Sequence, residues 1–530
     1  MQKTVTPRFN SRINSGFLIG LICLPIFIGA LDLTVVSAIL PHVINDLEIP
    51  LQSGLDNASW IVTGYLLTYS VSMTFMGRLS DLKGRRVVFL IALGIFMFGS
   101  YLVAVADGWP TRLGLQVYYW FLSGRPDVSY ITLDVLITAR MIQAFGAGSM
   151  VPVGMAMVGD LYPIGKRAQI LGLIAGVDTL GWVVGHLYGG IVVRFWDWQM
   201  IFWLNLPICF LALIITWFLL RDLPQEKAEG KMDWVGVLLI SSMLLALNLG
   251  LGSNQEIKSS SNLFNQTGMN PQAVPLLAGS VIILAIFIIW QKRSQNPLIN
   301  LDLFRLRNYP QASIANLLVG ICLFIAIANV PIFINSLAAI SIEQGAWDSG
   351  WMLSALTIPL ALATIPGGIV SDKFGYRFPA VTGLFIAIIG FVFMRTWEIG
   401  VSYSTMAFHL ILCGIGIGLT MAPIAAGLIN SSPSQQRGTS SALVIIFRLI
   451  GMTLGVSMVT TYDLIRFEQI SDLLLVNGFN QNEIIQIGME AMQRVISETF
   501  VLAGIIAILA LFPAFLLKPH LSSIKESTDG

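Results

Sequence analysis

Charged residues are scarce in this chain. Of its 530 residues only 11% are Asp, Glu, Lys or Arg, whereas 55% are hydrophobic. A soluble domain carries about 25% charged residues, so this composition excludes a protein that presents its whole surface to water. The formal net charge is +1 and the basic residues are spread over many short segments. We therefore expect no nucleic-acid partner.

Cysteines and the common catalytic motifs are also few or absent. The four cysteines lie inside apolar runs, where no disulfide is expected: Cys23, Cys209, Cys322 and Cys413. No Gly-x-x-x-x-Gly-Lys-Ser/Thr loop is present, which excludes an ATP-driven pump encoded in this chain. Neither a Cys/His cluster with metal-ligand spacing nor a Gly-x-Ser-x-Gly elbow occurs. We expect no enzyme activity, no cofactor and no metal.

Long apolar runs dominate the chain instead. Fourteen of them approach the length of about 20 residues that crosses a bilayer, which predicts an all-α polytopic membrane protein. The predicted spans lie near 16–40, 58–77, 87–106, 133–159, 168–193, 200–220, 234–253, 273–290, 311–335, 350–371, 379–395, 405–430, 440–463 and 495–517.

The distribution of basic residues predicts the orientation of these spans. Most of the 30 Lys and Arg residues fall in alternate connecting segments, which the positive-inside rule assigns to the cytoplasm. The first run follows Lys3, Arg8 and Arg12 as in a signal peptide, but it is longer and contains Asp32, so we interpret it as an uncleaved first helix. We expect a multi-pass plasma-membrane protein with both termini in the cytoplasm.

One short charged segment occurs twice. Residues 77–86 read Gly-Arg-Leu-Ser-Asp-Leu-Lys-Gly-Arg-Arg, and residues 368–377 repeat the Gly, Ser, Asp, Gly and final Arg at the same spacing. Each copy follows an apolar run. The repeat indicates an internal duplication, which is how many secondary transporters are built.

The repeated segment resembles the signature loop of the major facilitator superfamily, which connects the second and third helices. The resemblance implies two six-helix halves around a central cavity that work by alternating access. It also implies that these loops form a cytoplasmic latch. The latch residues would be Gly77, Asp81, Gly84, Arg85 and Arg86 in the first copy, and Asp372 and Arg377 in the second. Asp81 is expected beside an arginine or at the N-terminal end of the following segment, where an anion is favoured.

The number of predicted spans makes the resemblance specific to one branch of the superfamily. We predict a first six-helix half at 1–220, a linker with two extra membrane helices at 221–310, and a second six-helix half at 311–530. This plan is similar to that of the fourteen-helix drug:proton antiporter branch, the EmrB/QacA type. The extra helices have no counterpart in the duplication.

Charged residues inside the predicted spans are the candidate proton-coupling residues, because such charges are costly in a membrane and are usually functional. Asp32 lies about 24 Å from the inner surface and Arg140 about 10 Å from the outer surface, from a rise of 1.5 Å per residue. In a core about 30 Å thick these depths nearly coincide, so the two side chains are expected to meet. Asp178 is the next candidate for the proton site. Arg448 is a further buried charge, at a position that is related to that of Asp178 in the other half.

The fifth span carries a glycine-rich pattern that resembles the motif of antiporters in this superfamily. Its residues, which we expect to form a gating helix, are Gly172, Gly181, Gly185, His186, Gly189 and Gly190. His186 stands where the motif has proline. Proline would kink the helix and histidine does not, so the gating is expected to differ from that of the family.

Two predicted outer segments stand out. Residues 107–132 are rich in aromatic residues and are interpreted as an interfacial belt, with a substrate lid as the alternative. Residues 465–494 are interpreted as helices lying on the outer face. The sequence leaves open whether a periplasmic adaptor binds there.

The function favoured by these features is proton-driven export of small amphiphilic or lipophilic compounds by a monomer in contact with membrane lipids. Three alternatives remain: a lipid or glycolipid flippase or exporter on the same fold, a symporter for a polar nutrient, and a non-transporting receptor or scaffold. A symporter would need more buried polar residues than the spans contain. A scaffold would have no use for Asp32 and Arg140.

Overall fold

The structure is a computed structural model of the chain. It describes residues 15–49, 60–121, 124–219, 227–252, 273–338, 342–474 and 481–518, together with residues 58 and 221.

Fifteen α-helices make up most of the described chain. They are α1 Ser15–Asp46, α2 Trp60–Lys83, α3 Arg85–Ala104, α4 Trp109–Phe121, α5 Val128–Leu161, α6 Ile164–Phe195, α7 Gln199–Leu219, α8 Trp234–Gly252, α9 Ala273–Arg293, α10 Tyr309–Phe333, α11 Ile342–Phe374, α12 Arg377–Met394, α13 Tyr403–Ser431, α14 Arg437–Leu474 and α15 Gln481–Phe515.

Twelve helices among the described residues are long and apolar enough to cross a membrane. The other two predicted spans, 58–77 and 234–253, coincide with α2 and α8. The apolar part of α8, Trp234–Gly250, is shorter than the twelve, and α2 contains Arg78, Asp81 and Lys83 in its last two turns.

The connecting segments differ from the sequence interpretation in two places. Residues 107–132 contain a separate 13-residue helix, α4, whose Trp120 and Phe121 are exposed. Residues 465–494 do not form separate surface helices, because α14 runs without a break to Leu474 and α15 begins at Gln481. No glycine or proline interrupts residues 456–474, so nothing in the sequence ends α14 where its apolar part ends.

The described residues group into two compact units. The first contains those of Met1–Ile170, Val177–Met232 and Pro433–Ala442, and the second contains those of Leu171–Gly176, Asp233–Ser432 and Leu443–Gly530. The ten residues Pro433–Ala442 thus pack with a part of the chain that precedes them by some 200 residues or more. The predicted boundaries at 220 and 310, which describe the duplication, remain a prediction.

The same packing order occurs inside each unit. In the first unit α2 and α3 each pack along α5, and α3 also packs on α7. In the second unit α11 and α12 each pack along α13, and α12 also packs on α15. This correspondence supports the duplication that the repeated loop indicated.

Glycines make these helix crossings close. In the first unit a Cβ at Gly146 would lie 2.5 Å from the Ala92 carbonyl oxygen. In the second unit a Cβ at Gly416 would lie 2.7 Å from the Gly383 carbonyl oxygen. Both distances are too short for any side chain, so glycine is what lets these backbones approach.

Candidate functional site

The centre of the first unit contains a buried ion pair. Asp32 on α1 accepts a hydrogen bond through Oδ2 from Nη1 of Arg140 on α5, and the two side chains are 0% and 1% exposed. Nη2 of Arg140 also donates to the Asp32 carbonyl oxygen at 3.1 Å. The two side chains therefore meet, as was predicted from their calculated depths in the membrane.

Three further side chains surround the guanidinium of Arg140. Gln143, one turn further along α5, accepts from Nη1 at 2.7 Å. The ring of Tyr65 on α2 has its centroid 4.1 Å from Arg140 Cζ, and that of Phe202 on α7 has its centroid 5.5 Å away. The arginine is thus held by one carboxylate, one amide oxygen and two aromatic rings.

The second oxygen of the Asp32 carboxylate faces α7. Asn205 donates to it through Nδ2 at 3.3 Å and lies 3.4 Å from the Ser100 hydroxyl on α3. Ser100 in turn donates to the Phe202 carbonyl oxygen at 3.0 Å. Asp32 is consequently connected to helices α3, α5 and α7.

Most of these partners were not predicted from the sequence. Gln143 and Asn205 stand in the patterns Arg-x-x-Gln and Asn-x-Pro, so a signal for both was present. Tyr65 and Ser100 carry none, because neither residue type is unusual in a membrane helix. Asp178 is buried as predicted, but on α6, and the side chains that hydrogen-bond to Asp32 come from α5 and α7.

The glycine-rich helix α6 packs closely on α1. A Cβ at Gly181 would lie 2.7 Å from the Phe27 carbonyl oxygen, and one at Gly185 would lie 2.5 Å from that of Leu31. Gly189 is similarly close to Val35, whereas a Cβ at Gly190 would meet nothing within 4 Å. The glycines at four-residue spacing thus bring α6 against the helix that carries Asp32.

Two glycines of the pattern, Gly172 and Gly190, lie outside this contact. Gly172 belongs to the second unit, where a Cβ would come close to Thr364 and Ala422. The side chain of His186 is outside the described residues. The effect of histidine at the proline position remains a prediction.

A second charged cluster surrounds Asp81 at the end of α2. The carboxylate is fully buried and is paired with Arg85. It also accepts from the backbone N–H groups of Gly438 and Thr439, both at 2.8 Å, and from the Thr439 hydroxyl at 2.7 Å. These amides belong to the first turn of α14, which begins at Arg437.

Asp81 therefore caps a helix that is distant in sequence. Of the two positions predicted for Asp81, the one beside an arginine is confirmed by its pair with Arg85. The other, at the N-terminal end of the segment following it, is wrong, since the helix it caps is α14. A carboxylate is stabilised there by the unpaired N–H groups and by the positive end of the helix dipole.

Arg85 links Asp81 to a second acid, Asp160 at the end of α5. Its Nε donates to Asp160 Oδ2 at 3.1 Å and its Nη2 donates to the Ser434 carbonyl oxygen at 3.1 Å. Arg437 donates to the other oxygen of Asp160 at 2.8 Å. The order of charges is Asp81, Arg85, Asp160, Arg437. Neither Asp160 nor Arg437 was predicted, because both lie outside the repeated loop.

The glycines of the loop have two different physical functions. Gly77 packs against the N-terminus of α14, where a Cβ would lie 2.7 Å from the Gly438 carbonyl oxygen. Gly84 has φ +100°, which L side chains rarely adopt, and donates to the Ser80 carbonyl oxygen at 3.0 Å. In the second copy Gly375 has φ +82° and donates to Ser371 at 2.9 Å. The duplicated sequence thus forms the same backbone turn twice.

The outer residues of the two loops differ. Arg86 donates to the Trp217 carbonyl oxygen at 2.7 Å and lies over the Trp217 ring, 5.0 Å from its centroid. It therefore binds the C-terminal turn of α7. Arg377, its counterpart, lies 5.1 Å from the Phe515 ring centroid, and Asp372 is half-buried. Tyr376 takes the position of Arg85, so the second loop lacks the arginine that pairs with Asp81 in the first.

Arg448 on α14 is buried in the second unit. Its Nη1 lies 3.6 Å from the sulfur of Met421 on α13. Any relation between Arg448 and Asp178 as equivalent positions remains a prediction.

Repeated helical packing, buried charge and a duplicated polar turn are features of polytopic membrane transporters. The chain belongs to the Major Facilitator Superfamily, whose family model matches residues 22–456.

Relatives and solved structures agree with this assignment. The chain is 29% identical over 483 residues to a triacylglyceride transporter of Mycolicibacterium hassiacum, which covers 88% of this chain and 82% of that protein. It is 29% identical over 464 residues to a triacylglyceride transporter of Mycobacterium tuberculosis, covering 84% and 82%. A human organic anion transporter has a similar fold, with a TM-score of 0.56 at 13% identity, covering 92% of this chain and 98% of that one. The proton:xylose symporter XylE gives 0.54 at 14%, covering 93% and 95%.

Proposed function

We propose that this protein is a secondary transporter that exports a neutral lipid of the acylglyceride class across the plasma membrane. The observation that carries the proposal is similarity over more than four fifths of the chain to proteins that are named triacylglyceride transporters. The sequence favoured export of amphiphilic drugs and had lipid export as its alternative. The relatives favour that alternative, because they are named triacylglyceride transporters. The same fold would serve both kinds of substrate.

Asp32 and Arg140 are the proposed coupling residues. Arginine cannot release its proton at physiological pH, so the pair can change charge only when Asp32 binds a proton. Protonation would weaken the ion pair between α1 and α5. A proton gradient could therefore bias the arrangement of these helices, which is the requirement for coupling.

The Asp81 cluster is the proposed latch. Its hydrogen bonds hold the end of α2 against the first turn of α14, and their loss would release that turn. A latch of this kind stabilises one of the two states of an alternating-access cycle and not the other.

The fourteen-helix plan and the orientation belong to the same proposal. The fourteen spans would be the twelve apolar helices together with α2 and α8. The basic residues support cytoplasmic termini. Cysteines introduced at the exposed residues Arg125 and Lys227 should then react with an impermeant reagent from the outside only and from the inside only, respectively. The four native cysteines are buried.

A substrate assay in proteoliposomes tests the proposal. Labelled triacylglyceride and a panel of lipophilic cations would be supplied to vesicles that contain the purified protein. Protein-dependent movement of the lipid between membranes is expected. Movement of the cations without movement of the lipid would contradict lipid export and support drug efflux.

A further inference from the structure

Proton binding at Asp32 is energetically unfavourable for the buried charge of Arg140. The inference that follows rests on the proposed coupling at Asp32. When Asp32 is protonated, the carboxylate no longer balances the guanidinium. An uncompensated charge in a dry interior is strongly unfavourable. The site must therefore offer Arg140 partners whose character does not depend on pH.

Besides the Asp32 backbone carbonyl oxygen and the more distant Phe202 ring, two side chains meet this requirement. The Tyr65 ring lies 4.1 Å from Arg140 Cζ and is fully buried, and its face attracts a cation whatever the state of Asp32. The amide oxygen of Gln143 accepts from Nη1 at 2.7 Å. Neither a tyrosine ring nor an amide changes charge between pH 5 and pH 8.

The Tyr65 hydroxyl faces α1. It donates to the Gly29 carbonyl oxygen at 3.3 Å and also acts on the Asp32 carboxylate, whereas the ring contacts Arg140. The other titratable or charged side chains that act on Asp32 from the surrounding helices are Arg140 on α5, Tyr188 on α6 and Cys209 on α7. Arg140 is the one cation in this group.

We propose that Tyr65 and Gln143 are positioning residues that hold Arg140 in place while Asp32 is protonated. The ring of Tyr65 is the main element of this support, because it covers the guanidinium on α5 from a different helix, α2. The arginine then stays at the site through the whole cycle and can pair with Asp32 again when the proton leaves.

The ring and the hydroxyl can be separated by two variants. Tyr65→Phe keeps the ring and removes the hydroxyl, whereas Tyr65→Leu removes both. Once Asp32 is protonated, the guanidinium loses its carboxylate partner and relies on the ring, so loss of the ring should destabilise the protonated state more than the ion-paired state. The expected effect is an Asp32 titration midpoint that is lower in Tyr65→Leu than in Tyr65→Phe by about one pH unit, or tenfold in proton affinity. Tyr65→Phe itself should not lower the midpoint, because it keeps the ring and removes only a hydroxyl that acts on the carboxylate.

Infrared titration of the purified protein measures this midpoint without any transport. The carbonyl stretch of the protonated Asp32 carboxyl is assigned by its loss in Asp32→Asn. Gln143→Met is less selective, because the Gln143 amide acts on both Arg140 and the Asp32 carboxylate, so the comparison of the two Tyr65 variants is the decisive one.

The proposal would be overturned by equal midpoints in Tyr65→Leu and Tyr65→Phe, including the case in which Tyr65→Leu only lowers the melting temperature. Because the titration needs no substrate, a failure of the lipid assay would be distinguishable from a failure of this proposal.

Discussion

Asp32 and Arg140 depend on each other because both charges are buried among membrane helices. Removing one partner of a buried pair leaves the other uncompensated, which costs about 3–5 kcal/mol, whereas removing both charges costs less. We expect Asp32→Asn to lower the melting temperature of the purified protein more than the double variant Asp32→Asn with Arg140→Gln. A double variant that is less stable than Asp32→Asn would show that the pair is not the dominant interaction of these side chains.

The glycines of α6 allow a comparison within one motif. At Gly185 an added Cβ would meet the Leu31 carbonyl oxygen at 2.5 Å, whereas at Gly190 it would meet nothing within 4 Å. Overpacking of this kind costs about 1–3 kcal/mol, and alanine in an open helix position gains up to about 1 kcal/mol over glycine.

We therefore expect Gly185→Ala to lower both the melting temperature and the transport rate, and Gly190→Ala to leave both unchanged or to stabilise the protein. Equal effects of the two substitutions would mean that the contact between α1 and α6 is not what requires glycine.

At the scale of helices, the cap that Asp81 provides for α14 predicts local stability. Asp81→Asn keeps the shape of the side chain but removes the charge that two backbone N–H groups and Arg85 bind. The loss should be about 1–2 kcal/mol.

Hydrogen exchange of the Gly438 and Thr439 amides should then become roughly tenfold faster. The matched control is Asp302→Asn, since Asp302 is 73% exposed in its pair with Arg305 and such pairs contribute little. Unchanged exchange in Asp81→Asn would show that the carboxylate does not hold the first turn of α14.

Helices were more predictable from the sequence than the contacts between them. Apolar runs and the repeated loop indicated most helices and the duplicated turn at Gly84 and Gly375. The acids Asp81 and Asp160, by contrast, bind residues 437–439, which lie some 280–360 positions away in the chain. No local pattern encodes such a partner. The continuation of α14 to Leu474 was missed for a different reason, since the apolar pattern of the sequence ends before the helix does.

At the scale of the whole molecule, the two units repeat one packing order and one backbone turn but not one set of charges. Arg85, which pairs with Asp81 in the first loop, is replaced by Tyr376 in the second. The carboxylate with its paired arginine at the centre of the first unit is Asp32 with Arg140. In the proposed function, the first unit therefore carries both the proton site and the charged latch, and the second unit repeats the helical packing without these charges.

Proton-coupled lipid export is tested most directly by measuring lipid movement in proteoliposomes with and without an imposed pH gradient. Wild type, Asp32→Asn and the surface control Asp302→Asn would be compared with labelled triacylglyceride. If Asp32 carries the coupling proton, the gradient should accelerate lipid movement by wild type and by Asp302→Asn. It should have no effect on Asp32→Asn, which still binds the lipid. Equal acceleration in Asp32→Asn would contradict this prediction, because the proton would then be carried elsewhere.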